Sequence, residues 1–161
     1  MTSADRHEPR DPEPPGPGSP GADQADDGPA PDERDSAYEL LQRGQLLLSG
    51  RHHAQAAIVL ERAAALEPGK GSILEPLGRA YAQSGQVERA LETFTALVDV
   101  DPSSGYAHYA LARVLRRVGR LDEARTHLKL AVALEPASDL FRGELQRLSP
   151  ARPERPARRS G

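Results

Sequence analysis

The sequence predicts an all-α fold, an α-solenoid of three helical hairpins closed by a C-terminal capping helix. Three observations lead to this prediction. Small and large apolar residues recur with a period of about 34 residues, hereafter the repeat period, through the middle of the chain. Helix-start signals stand near the beginning of the recurring blocks, and a proline closes each block.

Both ends of the chain differ in composition from the middle. Residues 1–35 contain eight prolines and ten acidic residues against three arginines, with almost no large apolar side chain. Such a segment cannot bury enough surface to offset the cost of ordering its backbone, so a disordered acidic tail is predicted. Residues 149–161, with three prolines and four arginines, are predicted to form a disordered basic tail. The helical domain is predicted over 36–148.

Three repeat units are predicted within that domain, at 37–70, 71–104 and 105–138. Small residues at two fixed places allow the paired helices to approach closely, and a large apolar residue fills the space between hairpins. These positions are Gly44, Gly78 and Ala112; Ala56, Ala90 and Ala124; and Leu60, Phe94 and Leu128. The closing prolines are Pro68, Pro102 and Pro136.

The first helices of the units carry start and stop signals. Ser36 with Glu39, and Ser72 with Glu75, match the capping box, in which the two side chains satisfy each other's backbone donors. Glycine turns are predicted to end the first helices, and the second helices to begin shortly after them. The turns contain Gly50, Gly85 and Gly119, and the second helices begin near His53, Val87 and Leu121.

A last helix is predicted over 139–148, with Ser138 as its N-cap. Its apolar residues would cover the exposed end of the third unit, as the terminal helix of a repeat array must. They are Leu140, Phe141, Leu145 and Leu148.

The second unit carries a family resemblance. Its segment Leu74–Tyr81, followed by Ala90–Phe94 and Pro102, resembles the tetratricopeptide repeat pattern. The resemblance covers about two-thirds of the chain and implies a right-handed solenoid. The first unit departs from the pattern, because Arg43 occupies an apolar slot and Gly50 comes one residue early, so we expect the first hairpin to be the least regular.

The resemblance also implies a binding surface. In this family the first helix of each hairpin lines a concave groove that holds a peptide or a partner helix. The corresponding residues here are Tyr38, Leu41, Gln45, Leu48, Glu75, Arg79, Gln83, Tyr106, Tyr109, Arg113, Arg116 and Arg117. Since Gln45, Arg79 and Arg113 follow one another at the repeat period, they should form one row.

These residues predict a graded groove, apolar at the first hairpin and basic, with two tyrosines, at the third. It would suit an extended protein or peptide partner carrying acidic residues. Some family members hold the acidic C-termini of heat-shock chaperones with Lys and Asn. That activity is not predicted, because the groove has neither residue and the chain has no Asn.

Catalysis is not expected. The chain has no cysteine, and no nucleophile elbow, phosphate loop or zinc-protease motif is present. No cofactor or metal is predicted, because the histidines lack a metal-binding helical spacing. No apolar run is long enough to span a bilayer and no signal peptide is recognised, so the expected location is cytoplasmic.

The expected function is therefore that of a scaffold or adaptor for protein–protein interaction. A self-associating assembly, or a regulatory subunit of a larger complex, is the main alternative. Weak binding of nucleic acid or an anionic surface is a minor one, because the repeat units are almost neutral. The acidic residues of 1–35 could also fold back onto the groove arginines.

Overall fold

The computed structural model describes residues 35–148, and the two predicted tails, apart from Asp35, lie outside this range. The described residues form seven helices and no strand. The helices are α1 (Ala37–Ser49), α2 (His53–Leu66), α3 (Gly71–Ser84), α4 (Val87–Val100), α5 (Gly105–Arg117), α6 (Leu121–Leu134) and α7 (Asp139–Leu148).

The helices pair into three hairpins, α1 with α2, α3 with α4, and α5 with α6. Each hairpin packs on the next through α2 against α3 and α4 against α5, and α7 covers α6. The predicted fold class is thus confirmed, and the second helices begin at the three predicted residues. Isolated helices of this length are marginal in water, so the hairpins are stable only as a stack.

One of the two predicted capping boxes is present. The Ser36 hydroxyl accepts a hydrogen bond from the Glu39 backbone N–H at 3.2 Å, and the Ser36 N–H donates to Glu39 Oε2 at 2.8 Å. The second box was predicted wrongly. Helix α3 begins one residue before Ser72, and its N-cap, Lys70, makes no side-chain capping bond. Ser72 therefore lies inside the helix, and the turn before it contains Gly69 at a φ of +73°.

The first hairpin has an irregular turn, as the position of Gly50 suggests. In the second and third hairpins the turn residue in the left-handed conformation is Gly85 (φ +86°) or Gly119 (φ +81°). The equivalent residue of the first hairpin is Arg51, at φ +62°. A side chain in this conformation costs roughly 1–2 kcal/mol, and glycine avoids that cost.

The hairpins stack through one recurring set of three positions on each first helix. On α3 these are Ile73, Leu77 and Ala80, and none is more than 5% exposed. Their counterparts one repeat period later, on α5, are buried to the same degree: Ala107, Leu111 and Val114. On α1, where no described helix precedes the hairpin, the counterparts are Glu39, Arg43 and Leu46, and all three are exposed. Arg43 can therefore replace the apolar residue of the repeat pattern, because no described helix packs against this position.

Two glycines set the distance between paired helices. A Cβ at Gly44 would lie 2.5 Å from Leu60, and a Cβ at Gly78 would lie 2.7 Å from the Phe94 ring. The third hairpin has Ala112 at this position, opposite Leu128. A flexible leucine can therefore make room for a methyl group, whereas the buried ring of Phe94 has less freedom to move.

The capping helix is present over the predicted residues, but Leu140 was assigned wrongly to its covering face, because its side chain points away from the stack and is 54% exposed. The Ser138 hydroxyl accepts a hydrogen bond from the Phe141 N–H at 3.4 Å. Phe141 is 4% exposed, and its ring stacks on Tyr109 with 4.8 Å between centroids. Leu145 and Leu148 pack beside it, half-buried. None of the helices in 35–148 is long and apolar enough to cross a membrane.

We expect Gly78→Ala to lower the free energy of unfolding by about 1–2 kcal/mol. The clash with Phe94 destabilises the fold by about 1–3 kcal/mol, and the higher helix propensity of alanine offsets up to about 1 kcal/mol of this. Gly143→Ala is the matched control, because a Cβ there meets nothing within 4 Å. Urea unfolding should show a lower midpoint for Gly78→Ala and a slightly higher one for Gly143→Ala. Equal midpoints would contradict the close-packing argument.

Phe141→Ala should destabilise the array by about 3 kcal/mol or more, the usual cost of removing a buried aromatic ring. The neighbouring Leu140→Ala removes a side chain that is 54% exposed and should change stability by less than about 1 kcal/mol. Thermal or urea unfolding of the two variants provides the comparison. If both variants unfolded alike, α7 would not be stabilising the stack through Phe141.

Candidate functional site

A row of three adjoining pockets runs along the face formed by the first helices α1, α3 and α5. Arg79, near the middle of α3, lines all three pockets. We call this continuous surface the groove. Its first-hairpin end is lined by Gln45 and Leu48, and its third-hairpin end by Arg113 and Arg117. The groove therefore follows the row predicted for Gln45, Arg79 and Arg113.

The pocket between α3 and α5, which we call the central pocket, has a volume of about 100 Å³. Its floor is apolar and buried, since Phe94, Tyr109 and Val114 are each at most 6% exposed. Its rim is polar, with four exposed side chains, Arg79, Gln83, Arg113 and Arg117, and the half-buried Tyr106. Ala82, which is half-buried, and Ala110, which is buried, also line the pocket.

The two flanking pockets are wider and more polar. One lies between α1 and α3, and the other is shared by α3, the first turn and the end of α5. Their lining residues, beyond those already named, are Gln45, Leu48, Ser49, Arg51, His53, Ser72, Glu75 and Pro76. Among all residues that line the three pockets, four are arginines and one is acidic, so the groove has a positive charge.

The groove arginines are held in different ways. The guanidinium of Arg113 lies 5.7 Å from the centroid of the Tyr109 ring, which makes a cation–π contact. Arg117 donates to the Ala82 carbonyl at 2.5 Å, where it satisfies an acceptor in the last turn of α3. Arg79 lies 3.9 Å from Glu75, which makes only a loose ion pair.

Tyr106 supplies a neutral hydroxyl near these charges. Burial raises the pKa of Tyr106, and the Glu75 carboxylate raises it further, while Arg79 and Arg113 oppose the shift. The phenol therefore stays protonated at neutral pH and can donate a hydrogen bond. The groove thus offers guanidinium groups and a hydroxyl as donors above an apolar floor.

Several predicted groove residues lie elsewhere or are less available. Tyr38 is 68% exposed, Leu41 is half-buried, and neither lines these three pockets. Leu48 lines two pockets and is 8% exposed. Arg116 does not line them either, and its guanidinium pairs with Glu144 of α7 at 2.8 Å.

The structure also adds residues that the sequence analysis did not assign to the groove. Phe94 was assigned to packing between hairpins, yet its ring reaches the central pocket from α4. Arg51 lines the groove because the first turn is irregular. Arg147 follows Arg113 by one repeat period, so α7 continues the same row, although Arg147 pairs with Glu144 at 2.7 Å. The repeat period was the signal that could have identified Arg147.

Comparison with known proteins agrees with this architecture. A family model described as tetratricopeptide repeat matches residues 41–96 and 75–139, more than half of the chain. The chain belongs to the tetratricopeptide repeat family. The tetratricopeptide repeat-containing thioredoxin TTL4 of Arabidopsis thaliana is 29% identical over 110 residues, which are 68% of this chain and 16% of that protein. The chain thus spans about a sixth of the length of this relative.

Solved tetratricopeptide structures superpose on most of the chain. MamA of Desulfovibrio magneticus RS-1 (41-end) has a TM-score of 0.69 at 22% identity, over 72% of this chain and 66% of that one. The first tetratricopeptide domain of Spaghetti (RPAP3), bound to the HSP90 peptide SRMEEVD, has a TM-score of 0.67 at 17% identity. The match covers 70% of this chain and 90% of that one. At these identities the likeness shows the fold alone.

The third tetratricopeptide unit contains a histidine pair that its sequence spacing does not reveal. His108 of α5 and His127 of α6 lie 2.9 Å apart, Nδ1 to Nδ1, with their rings stacked. His108 Nε2 lies 3.1 Å from the Pro102 carbonyl, which can only accept. The network therefore assigns the Nε2 proton to His108, whose Nδ1 accepts a hydrogen bond from His127 Nδ1–H.

The electrostatics of this pair act on His127. Burial lowers the pKa of His127, and the neighbouring His108 lowers it further, while the Glu123 carboxylate opposes the shift. In the second unit the equivalent residues are Leu74 and Thr93. Within 35–148 no group of three or more His, Cys, Asp or Glu residues is arranged to hold a metal ion.

We expect stability to fall as the pH drops below about 6.5. The pKa of His127 is lower in the folded chain than in the unfolded chain, so the unfolded chain binds the extra proton more readily. The free energy of unfolding is then highest above about pH 6.5 and decreases until the pH reaches the folded pKa. Urea unfolding between pH 7.5 and 5.5 measures this slope.

The variant His127→Gln should unfold with a smaller pH dependence across the same window, since one of the titrating groups is removed. Thr126→Gln, at the neighbouring exposed position of α6, removes no titrating group, so it is the matched control and should keep the slope of the wild type. A slope unchanged by His127→Gln would show that other groups account for the pH dependence.

Proposed function

We propose that the chain is a scaffold or adaptor whose groove binds an extended segment of a protein partner containing acidic residues. The observation that carries this proposal is the charge of the groove. Four arginines and one glutamate line its pockets, and Arg113 makes no ion pair among the described residues. A carboxylate of the bound protein would form a suitable ion pair with this guanidinium.

The arrangement of donors supports an extended ligand. Arg79 and Arg113 lie on neighbouring first helices and share the central pocket, so one segment crossing the helices could contact both. The Tyr106 hydroxyl lies within the same lining and can donate to a backbone carbonyl of that segment. Extended peptides are commonly recognised through such a combination of side-chain pockets and polar groups.

A structural relative supports the chemistry of the partner. The Spaghetti (RPAP3) domain was solved with the peptide SRMEEVD, which contains three acidic residues. In the present groove the positive charge is supplied by arginines, and the sequence contains no asparagine. We therefore extend to this chain the class of ligand, an acidic segment, and not the identity of that peptide.

Arginines on exposed helices often serve only to keep a surface solvated. The groove differs from such a surface in two respects. Its arginines surround a concavity with a buried apolar floor, and the cation–π contact with Tyr109 restricts the guanidinium of Arg113. Preorganised donors lose less freedom when a ligand binds, which favours binding over simple solvation.

Arg113→Glu should weaken capture of a groove partner by about 10- to 100-fold, since a hydrogen bond to a charged group contributes about 1.5–3 kcal/mol. Lys129→Glu, at an exposed position of α6 away from the groove, changes the net charge equally and should leave capture unchanged. Crosslinking and pull-down from the native cell, quantified by mass spectrometry, compares the three proteins.

Circular dichroism should first show equal helix content in the wild type and both variants. Loss of the same partner from both variants would indicate nonspecific charge attraction. Retention of every partner by Arg113→Glu would place the binding surface outside the groove. Recovery of this chain alone would favour the self-associating assembly over an adaptor.

A further inference from the structure

We propose that the central pocket accepts one aliphatic side chain of the partner segment, with an Asp or Glu placed next to it in the partner sequence. This inference rests on the proposed function and specifies its ligand. It differs from the graded groove expected from the sequence, in which the apolar and basic ends are separate. Here the apolar floor lies directly beneath the arginines.

The size of the pocket limits what can enter it. Pockets for small molecules and cofactors usually measure about 300–1,000 Å³, and a cavity of about 150 Å³ can hold benzene. The central pocket, at about 100 Å³, is smaller than both. Its volume therefore suits a single aliphatic side chain better than an aromatic ring, a metabolite or a cofactor.

The composition of the pocket defines the preferred side chain. Phe94, Tyr109 and Val114 form a buried floor, and the methyl group of Ala110, 5% exposed, completes it. These groups offer no charge to a polar side chain that enters between them. An aliphatic side chain would instead remove apolar surface from water on both partners, which is the usual role of an interface anchor.

The rim explains why an acidic residue should be adjacent. Arg79, Arg113 and Arg117 surround the opening, and Arg117 already donates to the Ala82 carbonyl. An aliphatic residue in the pocket brings its immediate sequence neighbours to this rim. A carboxylate there would face the guanidinium groups of Arg79 and Arg113 next to a low-dielectric floor, where charge-assisted hydrogen bonds are strengthened.

The two ends of the chain do not supply such a motif. Residues 1–34 are rich in acidic residues, but Met1 is their only large apolar residue. Residues 149–161 have no aliphatic residue larger than alanine or proline, and four arginines. Residues 1–34 and 149–161 therefore do not supply an aliphatic side chain with an adjacent acid, although the acidic residues of 1–34 can compete for the rim.

Selection of random displayed dodecapeptides on the immobilised full-length chain tests this inference. We expect enriched peptides to contain Leu, Ile, Val or Met with Asp or Glu close by in the peptide sequence. The best peptide is then synthesised with a fluorescent label, and its affinity is measured by anisotropy. Replacing its aliphatic residue with Ala should weaken binding about tenfold or more.

A pocket-filling variant connects this loss to the central pocket. Ala82 is half-buried at the pocket wall, so Ala82→Leu should occupy the space and weaken peptide binding about tenfold. Ala65→Leu, at an exposed position of α2, is the matched control and should bind as the wild type does. In a double-mutant cycle, replacing the aliphatic residue of the peptide with Ala should cause little further loss of affinity for the Ala82→Leu variant, because its pocket is already filled.

The remaining outcomes separate this inference from the proposed function. Enriched peptides that are acidic but show no aliphatic preference would contradict the aliphatic anchor. Fully additive losses of affinity in the double-mutant cycle would contradict it as well. Neither result would contradict the proposal that the groove binds an acidic segment. A selection without enriched peptides would overturn both. A concentration-dependent mass in sedimentation that the peptide abolishes would identify a second copy as the occupant and overturn the assignment to a different partner.

Discussion

The stacking of each first helix on the preceding hairpin is the constraint on which the rest of the structure depends. It uses three positions that recur at the repeat period, and the last set, Phe141, Leu145 and Leu148, belongs to the capping helix. Because a hairpin cannot bury its apolar surface alone, the same positions must be apolar wherever a neighbour precedes them. They can be charged on α1, where Glu39 and Arg43 face water.

Stacking also creates the groove. When identical positions of successive hairpins pack in one register, their first helices lie side by side, and equivalent residues of successive units fall into a row. Gln45, Arg79 and Arg113 follow this rule, and Arg147 continues it onto α7. The same contacts bring Phe94 of the second hairpin beneath Arg113 of the third. The binding face and the interior are therefore not separate features, because a buried ring forms the floor of the pocket.

The contacts that the sequence did not reveal have a common physical origin. The repeat period predicts which backbone positions are equivalent, but not the direction or the partners of a long side chain. Arg116 lies on the same helix as Arg113 yet pairs with Glu144 of α7. The contact between His108 and His127 joins two helices through one hydrogen bond, which depends on ring orientation rather than on spacing. Such details are decided when the helices dock.

The repeat period and the local helix signals are sufficient to predict the family, the order of the helices and the row of groove positions. The arginines that line the groove, the size of the pocket and its apolar floor become visible only in the folded chain. Those properties depend on the packing of α3, α4 and α5 around Phe94 and Tyr109. Packing of this kind is set by side-chain shape in three dimensions, which a one-dimensional pattern does not contain.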